Sequence, residues 1–105
     1  MNLTYQTTLV LQALANGLRH GFDILDATGL PSGTVYPILR RLEREALVSA
    51  QWEDAAIAHE EQRPPRRYYE LTADGHAVLE TAVVRYRVPR AIAARLRRLR
   101  PARSS

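Results

Sequence analysis

Apolar residues recur at helical spacing between Leu3 and Leu18, where Leu11, Leu14 and Leu18 are joined by Val10 and Ala13. Gly17 supplies a stop, because glycine readily takes the left-handed conformation that ends a helix. A short second helix is predicted over Gly21–Thr28, with Phe22 and Leu25 on one face, Gly29 at its end and Leu30-Pro31 as the connection. The third helix has the cleanest pattern. Val35, Leu39, Leu42 and Ala46 fall at i, i+4, i+7 and i+11, with Ile38 beside them. Its opposite face carries Thr34, Tyr36, Pro37, Arg40, Arg41 and Arg44. A cap at Thr34 places Pro37 in the first turn, where its missing amide costs nothing, whereas a cap at Ser32 leaves a small irregularity. Pattern alone does not choose between them.

The period then changes. Val48, Ala50 and Trp52 alternate with Ser49, Gln51 and Glu53, which predicts a half-buried strand with Trp52 packed in the core. Residues 54–65 read as an acidic, alanine-rich loop closed by Pro64-Pro65. Arg66–Leu71 follows as a second strand, with Tyr69 and Leu71 on one face and Arg66 and Tyr68 on the other. A hairpin with a long, mobile tip is the economical reading. Thr72 caps a last helix, with Asp74 in its first turn. Its apolar stripe is Val78, Leu79, Ala82, Val83 and Tyr86. Pro89 kinks or breaks it, and Ile92, Leu96 and Leu99 set up a second stripe among arginines. Residues 101–105 are expected to fray.

Composition narrows the chemistry. The 105 residues are 46% hydrophobic and 25% charged, which suits one small domain with one core. There is no cysteine, so disulfides, thiolate metal sites and cysteine nucleophiles are excluded. His20, His59 and His76 form no metal-ligand spacing and have no serine–aspartate partners, so neither a metal enzyme nor a hydrolytic triad is indicated, and no cofactor is implied. No apolar run suffices for a membrane span and the start lacks a secretory pattern, so a cytoplasmic protein is expected. Net charge is +4, but residues 85–105 hold eight arginines and no acid, which leaves residues 1–84 at −4. The basic character therefore belongs to the tail.

Three helices followed by a hairpin form the order of a winged helix-turn-helix, mainly α in an α+β sense. The residues also resemble a known family, the PadR-type transcriptional regulators. The matching segments are His20-Gly21-Phe22, the run Ser32-Gly33-Thr34-Val35-Tyr36-Pro37-Ile38-Leu39-Arg40-Arg41-Leu42-Glu43, and Arg66-Arg67-Tyr68-Tyr69-Glu70-Leu71-Thr72 followed by Gly75. The likeness spans about residues 5–80 and suits the short subgroup with a single C-terminal helical region. It implies a homodimeric repressor that binds double-stranded DNA at a pseudo-palindromic operator. Family members are associated with phenolic acids or flat hydrophobic drugs, so a small hydrophobic or aromatic effector belongs among the implied partners.

On this reading residues 1–72 form the DNA-binding domain and residues 73–100 a dimerisation helix. The resemblance places Ser32, Thr34, Tyr36, Pro37 and Arg40 of the third helix against DNA, joined by Arg41. In the wing, Arg66 and Tyr68 are the expected contacts, while Arg67 shares the face of Tyr69 and Leu71 and is expected to act on wing stability. Leu79, Val83, Tyr86, Ile92, Leu96 and Leu99 are the expected dimer contacts. Acids at Glu53, Asp54, Glu60 and Glu61 are expected to weaken DNA contact in the first half of the wing loop. The alternative is a winged-helix module for protein–protein interaction, which the negative charge of residues 1–84 favours.

Overall fold

A computed structural model describes residues 3–86. The elements run α1 (Tyr5–Ala15), α2 (Gly21–Thr28), α3 (Ser32–Arg44), β1 (Val48–Trp52), α4 (Ala55–Glu60), β2 (Arg67–Leu71) and α5 (Ala73–Tyr86). The expected winged helix-turn-helix is present, with one helix more than the sequence pattern predicts. Pro89, Ile92, Leu96 and Leu99 lie outside the described residues.

The ends of the helices show why the chain turns where it does. Thr4 opens α1 by accepting the Thr7 amide at 3.0 Å. Gly17, Ala46 and Gln62 all adopt positive φ, at 94°, 60° and 55°. Each is followed by a residue whose amide reaches back five positions: Leu18 to Ala13, Leu47 to Leu42 and Arg63 to Ala58. These are three Schellman closures, and only one uses glycine. Ala46 is therefore not the last residue of the α3 stripe. It is an exposed, left-handed residue that turns the chain into β1.

Neither Ser32 nor Thr34 caps α3. Pro31 occupies the cap position without a side-chain bond, and Pro37 lies inside the helix. Its ring removes the amide that Gly33 would otherwise receive one turn earlier.

The core gathers Val10, Leu11, Leu14 and Leu18 with Ile24, Val35, Leu39, Leu42, Val48, Tyr69, Leu71 and Leu79. α1 is its centre, buried continuously from Thr7 to Leu11 and packed against α2, α3, α5 and β2. On α2 the buried residues are Gly21, Ile24 and Ala27, so Phe22 stands out at 72% exposure against expectation. Two small residues let α2 approach closely, and the large one is left outside.

β1 and β2 pair antiparallel as the expected hairpin, with Val48 opposite Leu71, Ala50 opposite Tyr69 and Trp52 opposite Arg67. The alternation was right, but Trp52 is 64% exposed and does not belong to the core. Its cover is the Arg67 guanidinium, 5.0 Å from the ring centroid. A third line of pairing joins β2 to the turn before α2, where Tyr69 N–H donates to Arg19 O at 2.7 Å and His20 bridges Tyr68. Residues 54–65 are likewise not a bare loop. Asp54 accepts the Ala56 amide at 2.7 Å and opens α4, which buries Ala58.

Thr72 caps α5 as expected, accepting the Gly75 amide at 3.1 Å while its hydroxyl donates to Ala46 O at 2.8 Å. A Cβ at Gly75 would lie 2.0 Å from Leu47 O, so glycine allows α5 to start against the α3–β1 turn. Leu79 and Ala82 are buried within the same chain, and Tyr86 reaches back to donate to Leu3 O and to stack edge-on against Tyr5.

Candidate nucleic-acid interface

Because α3 buries Val35, Ile38, Leu39 and Leu42, its other side must face outward. Ser32, Tyr36, Arg40 and Arg44 step along that side at i+4 intervals, and all four are exposed. Pro37 is half-buried beside them, and Thr34 and Arg41 are half-buried at the margin nearer Ile38. Among the described residues, no ion pair occupies Arg40, Arg41 or Arg44.

Tyr36 is positioned by α2. Its ring lies across the backbone of Gly21, where a Cβ would come within 2.4 Å of Tyr36 Cε1. From there it lines a groove of about 180 Å³ shared with His20, Gly21, Phe22, Arg66, Arg67 and Tyr69. The groove thus joins α2, α3 and the wing, and brings together two of the expected residues, Tyr36 and Arg66. Three others in it, His20, Gly21 and Phe22, were not among the expected contacts. A usable signal existed, since Gly21, Ile24 and Ala27 at spacings of three define a buried stripe that excludes Phe22.

The two wing arginines have different partners, but Arg66 precedes β2 and lines the groove with Tyr69 instead of sharing a strand face with Tyr68 as expected. Arg67 Nη2 donates to Glu43 Oε2 at 2.9 Å, which ties β2 to the last turns of α3. Arg66 is exposed just before β2, with Nη1 3.4 Å from His20 Nε2. Tyr68 does not join the groove. Its hydroxyl donates to Glu53 Oε2 at 3.1 Å, its ring lies 5.8 Å from that of His20, and the Arg19 guanidinium sits 5.3 Å above it.

Glu53 is the polar centre of the wing. Its carboxylate receives both guanidinium nitrogens of Arg63, at 2.5 and 2.8 Å, together with the Tyr68 hydroxyl and the Arg66 amide. The Arg63 bond is the largest cause that holds its pKa down at about 2. The charge expected to repel DNA at this position is therefore already paired, and Asp54 is spent on capping α4. For His20, burial lowers the pKa below its ordinary value; Asp23 opposes that shift, and Arg66 and Arg63 reinforce it. Burial also pushes the Tyr69 hydroxyl upward. No group of histidine and acidic residues that could hold a metal occurs among the described residues, and none of their helices is long and apolar enough to cross a membrane.

Comparison with known proteins agrees with this geometry. Residues 10–81 match the profile of the transcriptional regulator PadR-like family. Among solved structures, a PadR family transcription regulator from hypervirulent Clostridium difficile is 25% identical, with a TM-score of 0.68 over 80% of this chain and 88% of that one. A PadR family transcriptional regulator from Eggerthella lenta is 30% identical, with a TM-score of 0.55 over 79% of this chain and 71% of that one. No curated protein matches the chain.

Proposed function

From the premise that the chain belongs to the PadR-like family of transcriptional regulators, we propose that it binds duplex DNA as a homodimeric repressor of a pseudo-palindromic operator. The observation that carries this reading is the exposed face of α3, with Ser32, Tyr36, Arg40 and Arg44 in one row and Arg66 across the groove. A helix inserted in the major groove needs short polar groups and arginines on its outer side, because guanidinium forks pair with base edges and phosphates. Ser32, Thr34, Tyr36, Pro37, Arg40 and Arg41 are the proposed contacts on α3. Arg66 is the wing contact, placed to reach phosphate or the minor groove. Tyr68 supports the wing from the other sheet face.

Leu79, Val83 and Tyr86 were expected at a dimer contact, and part of that set is engaged inside the protomer. We assign dimerisation to the remainder of α5 together with the chain beyond it. Release by a small hydrophobic or aromatic effector completes the proposal, and an intracellular site of action goes with it.

The test is binding to duplex DNA across a salt series, followed by selection from random duplexes. Phosphate contacts release counterions, so log K must fall steeply with log salt. A winged helix used only for protein contacts shows no such binding. Selection should return a site with two related half-sites about one helical turn apart.

A further inference from the structure

His20-Gly21-Phe22 opens α2 and lines the groove opposite Tyr36, yet the α3 face leaves it without a role. The surroundings of His20 are unusual. Its Nε2 lies 3.1 Å from Asp23 Oδ2 and 3.4 Å from Arg66 Nη1. One ring nitrogen thus faces an acceptor and a donor at once. Carrying a hydrogen, it serves Asp23 and opposes Arg66; without one, it accepts from Arg66 and opposes Asp23. Neither state satisfies both neighbours.

An oxyanion in the groove removes the conflict. It draws the exposed Arg66 guanidinium to itself, leaves Nε2 to Asp23 and favours the imidazolium. The rest of the lining suits the same occupant. The first turn of α2 has no side-chain cap, the Tyr36 hydroxyl borders the groove, and Phe22 offers an exposed apolar wall of the kind a sugar can rest on. Arg67 also lines the groove but is paired with Glu43, so Arg66 is the cation available for the contact.

We propose that this groove seats one backbone phosphate of bound duplex DNA, with Arg66 as its contact and His20 taking up a proton as the phosphate arrives. The proposal rests on the duplex-binding reading above and deepens it, since it assigns α2 a phosphate contact beside the base contacts of α3. In the free protein, burial holds the His20 pKa below its ordinary value, helped by Arg66 and Arg63. Asp23 and Glu53 pull the other way, and the Tyr68 ring, with Arg19 above it, packs against the imidazole. A phosphate adds a negative charge to the Asp23 side of this balance.

The experiment uses the full chain and a mixed-sequence duplex of roughly 20 base pairs, because a phosphate contact does not depend on sequence. Affinity is measured from about pH 8 to about pH 6 for wild type, His20→Gln and Arg66→Ala, with melts to show that each folds. Wild type should gain roughly three- to tenfold over this range relative to His20→Gln, which keeps His59 and His76 and so isolates one proton. Arg66→Ala should lower the salt slope by about one. Equal pH dependence in wild type and His20→Gln, or an unchanged salt slope in Arg66→Ala, overturns the phosphate seat while duplex binding itself stands. Absence of duplex binding by wild type overturns the broader reading as well. Inorganic phosphate, added at the concentration of duplex phosphates, should not compete. If it does, the groove is a free-anion site and the proposal fails.

Discussion

A side chain at position 21 has to share space with Tyr36, and one at position 75 has to share it with the backbone of Leu47. The two glycines look alike in sequence but fail differently. Tyr36 is the end of a partly exposed side chain and can swing aside, whereas the Leu47 carbonyl belongs to the turn that launches β1. Gly75→Ala is therefore expected to destabilise the fold by roughly 1–3 kcal/mol in excess of its helix-propensity gain, seen as a lower melting temperature. Gly21→Ala should melt close to wild type but weaken duplex binding, because the ring it displaces belongs to the proposed contact face. Tyr36→Ala and Arg40→Ala test that face directly. Each should lose about 1–3 kcal/mol of specific binding in a gel-shift titration, with unchanged melts, since both side chains lie outside the core stripe. If both bind like wild type, α3 is not the recognition helix. At this scale the α3 face was legible, since its 3.6-residue period separates Val35, Leu39 and Leu42 from Tyr36 and Arg40. Phe22 was misread because large apolar residues attract a core assignment, while contact on α2 is made by Gly21 and Ala27, whose small size permits close packing.

Elements were legible where an apolar stripe of useful length marks them, and α4 lacks one. Six residues with Ala58 as the buried member give no period to detect, although an aspartate followed by alanines is a workable helix start. Trp52 was misplaced for a related reason: alternation correctly gives the strand face, but the outer end of β1 runs past the helices that could cover it. What holds this outer part of the wing is polar. Glu53 binds Arg63 across α4, and its folded pKa of about 2 lies below the usual 4.5. A depressed carboxyl pKa contributes stability that is complete above the unfolded value and is lost as pH falls through the folded one. Wild type should therefore lose more melting temperature than Glu53→Gln as pH drops from 4.5 towards 2, with Trp52 fluorescence reporting the change at the wing. Equal acid sensitivity in the two proteins would remove Glu53 from this role. The Arg67–Glu43 pair makes the complementary link between wing and α3. Being partly exposed, it is worth only about 0.2–1 kcal/mol, so Arg67→Ala and Glu43→Ala should show small, non-additive losses in a double-mutant cycle.

For the molecule as a whole, the proposed homodimer needs a surface that can pair two copies. The stripe Val78 to Tyr86 suggested α5, and the structure uses Leu79 and Ala82 of that stripe to close the protomer's own core. The opposite side of α5 carries Ala77, Thr81 and Val84 at helical spacing, all exposed, with Val84 at 76%. An exposed valine beside Ala77 and Thr81, with Glu80 at the margin, is a useful surface for a symmetric contact, where each copy offers the same patch. We therefore expect light scattering at micromolar concentration to give twice the chain mass. Val84→Asp should shift the population towards monomer with little effect on the monomer's fold, because the side chain is 76% exposed and none of the described residues buries it. Leu79→Asp should instead abolish folding, since it places a charge in the core. The same change at Val84 carries through to DNA. A dimer engages two half-sites about one helical turn apart, so converting it to monomer removes one of two linked contacts and should weaken binding to a two-site duplex far more than to a single half-site. If Val84→Asp remains dimeric with unaltered two-site affinity, this face of α5 is solvent-facing and the pairing surface lies elsewhere on the chain.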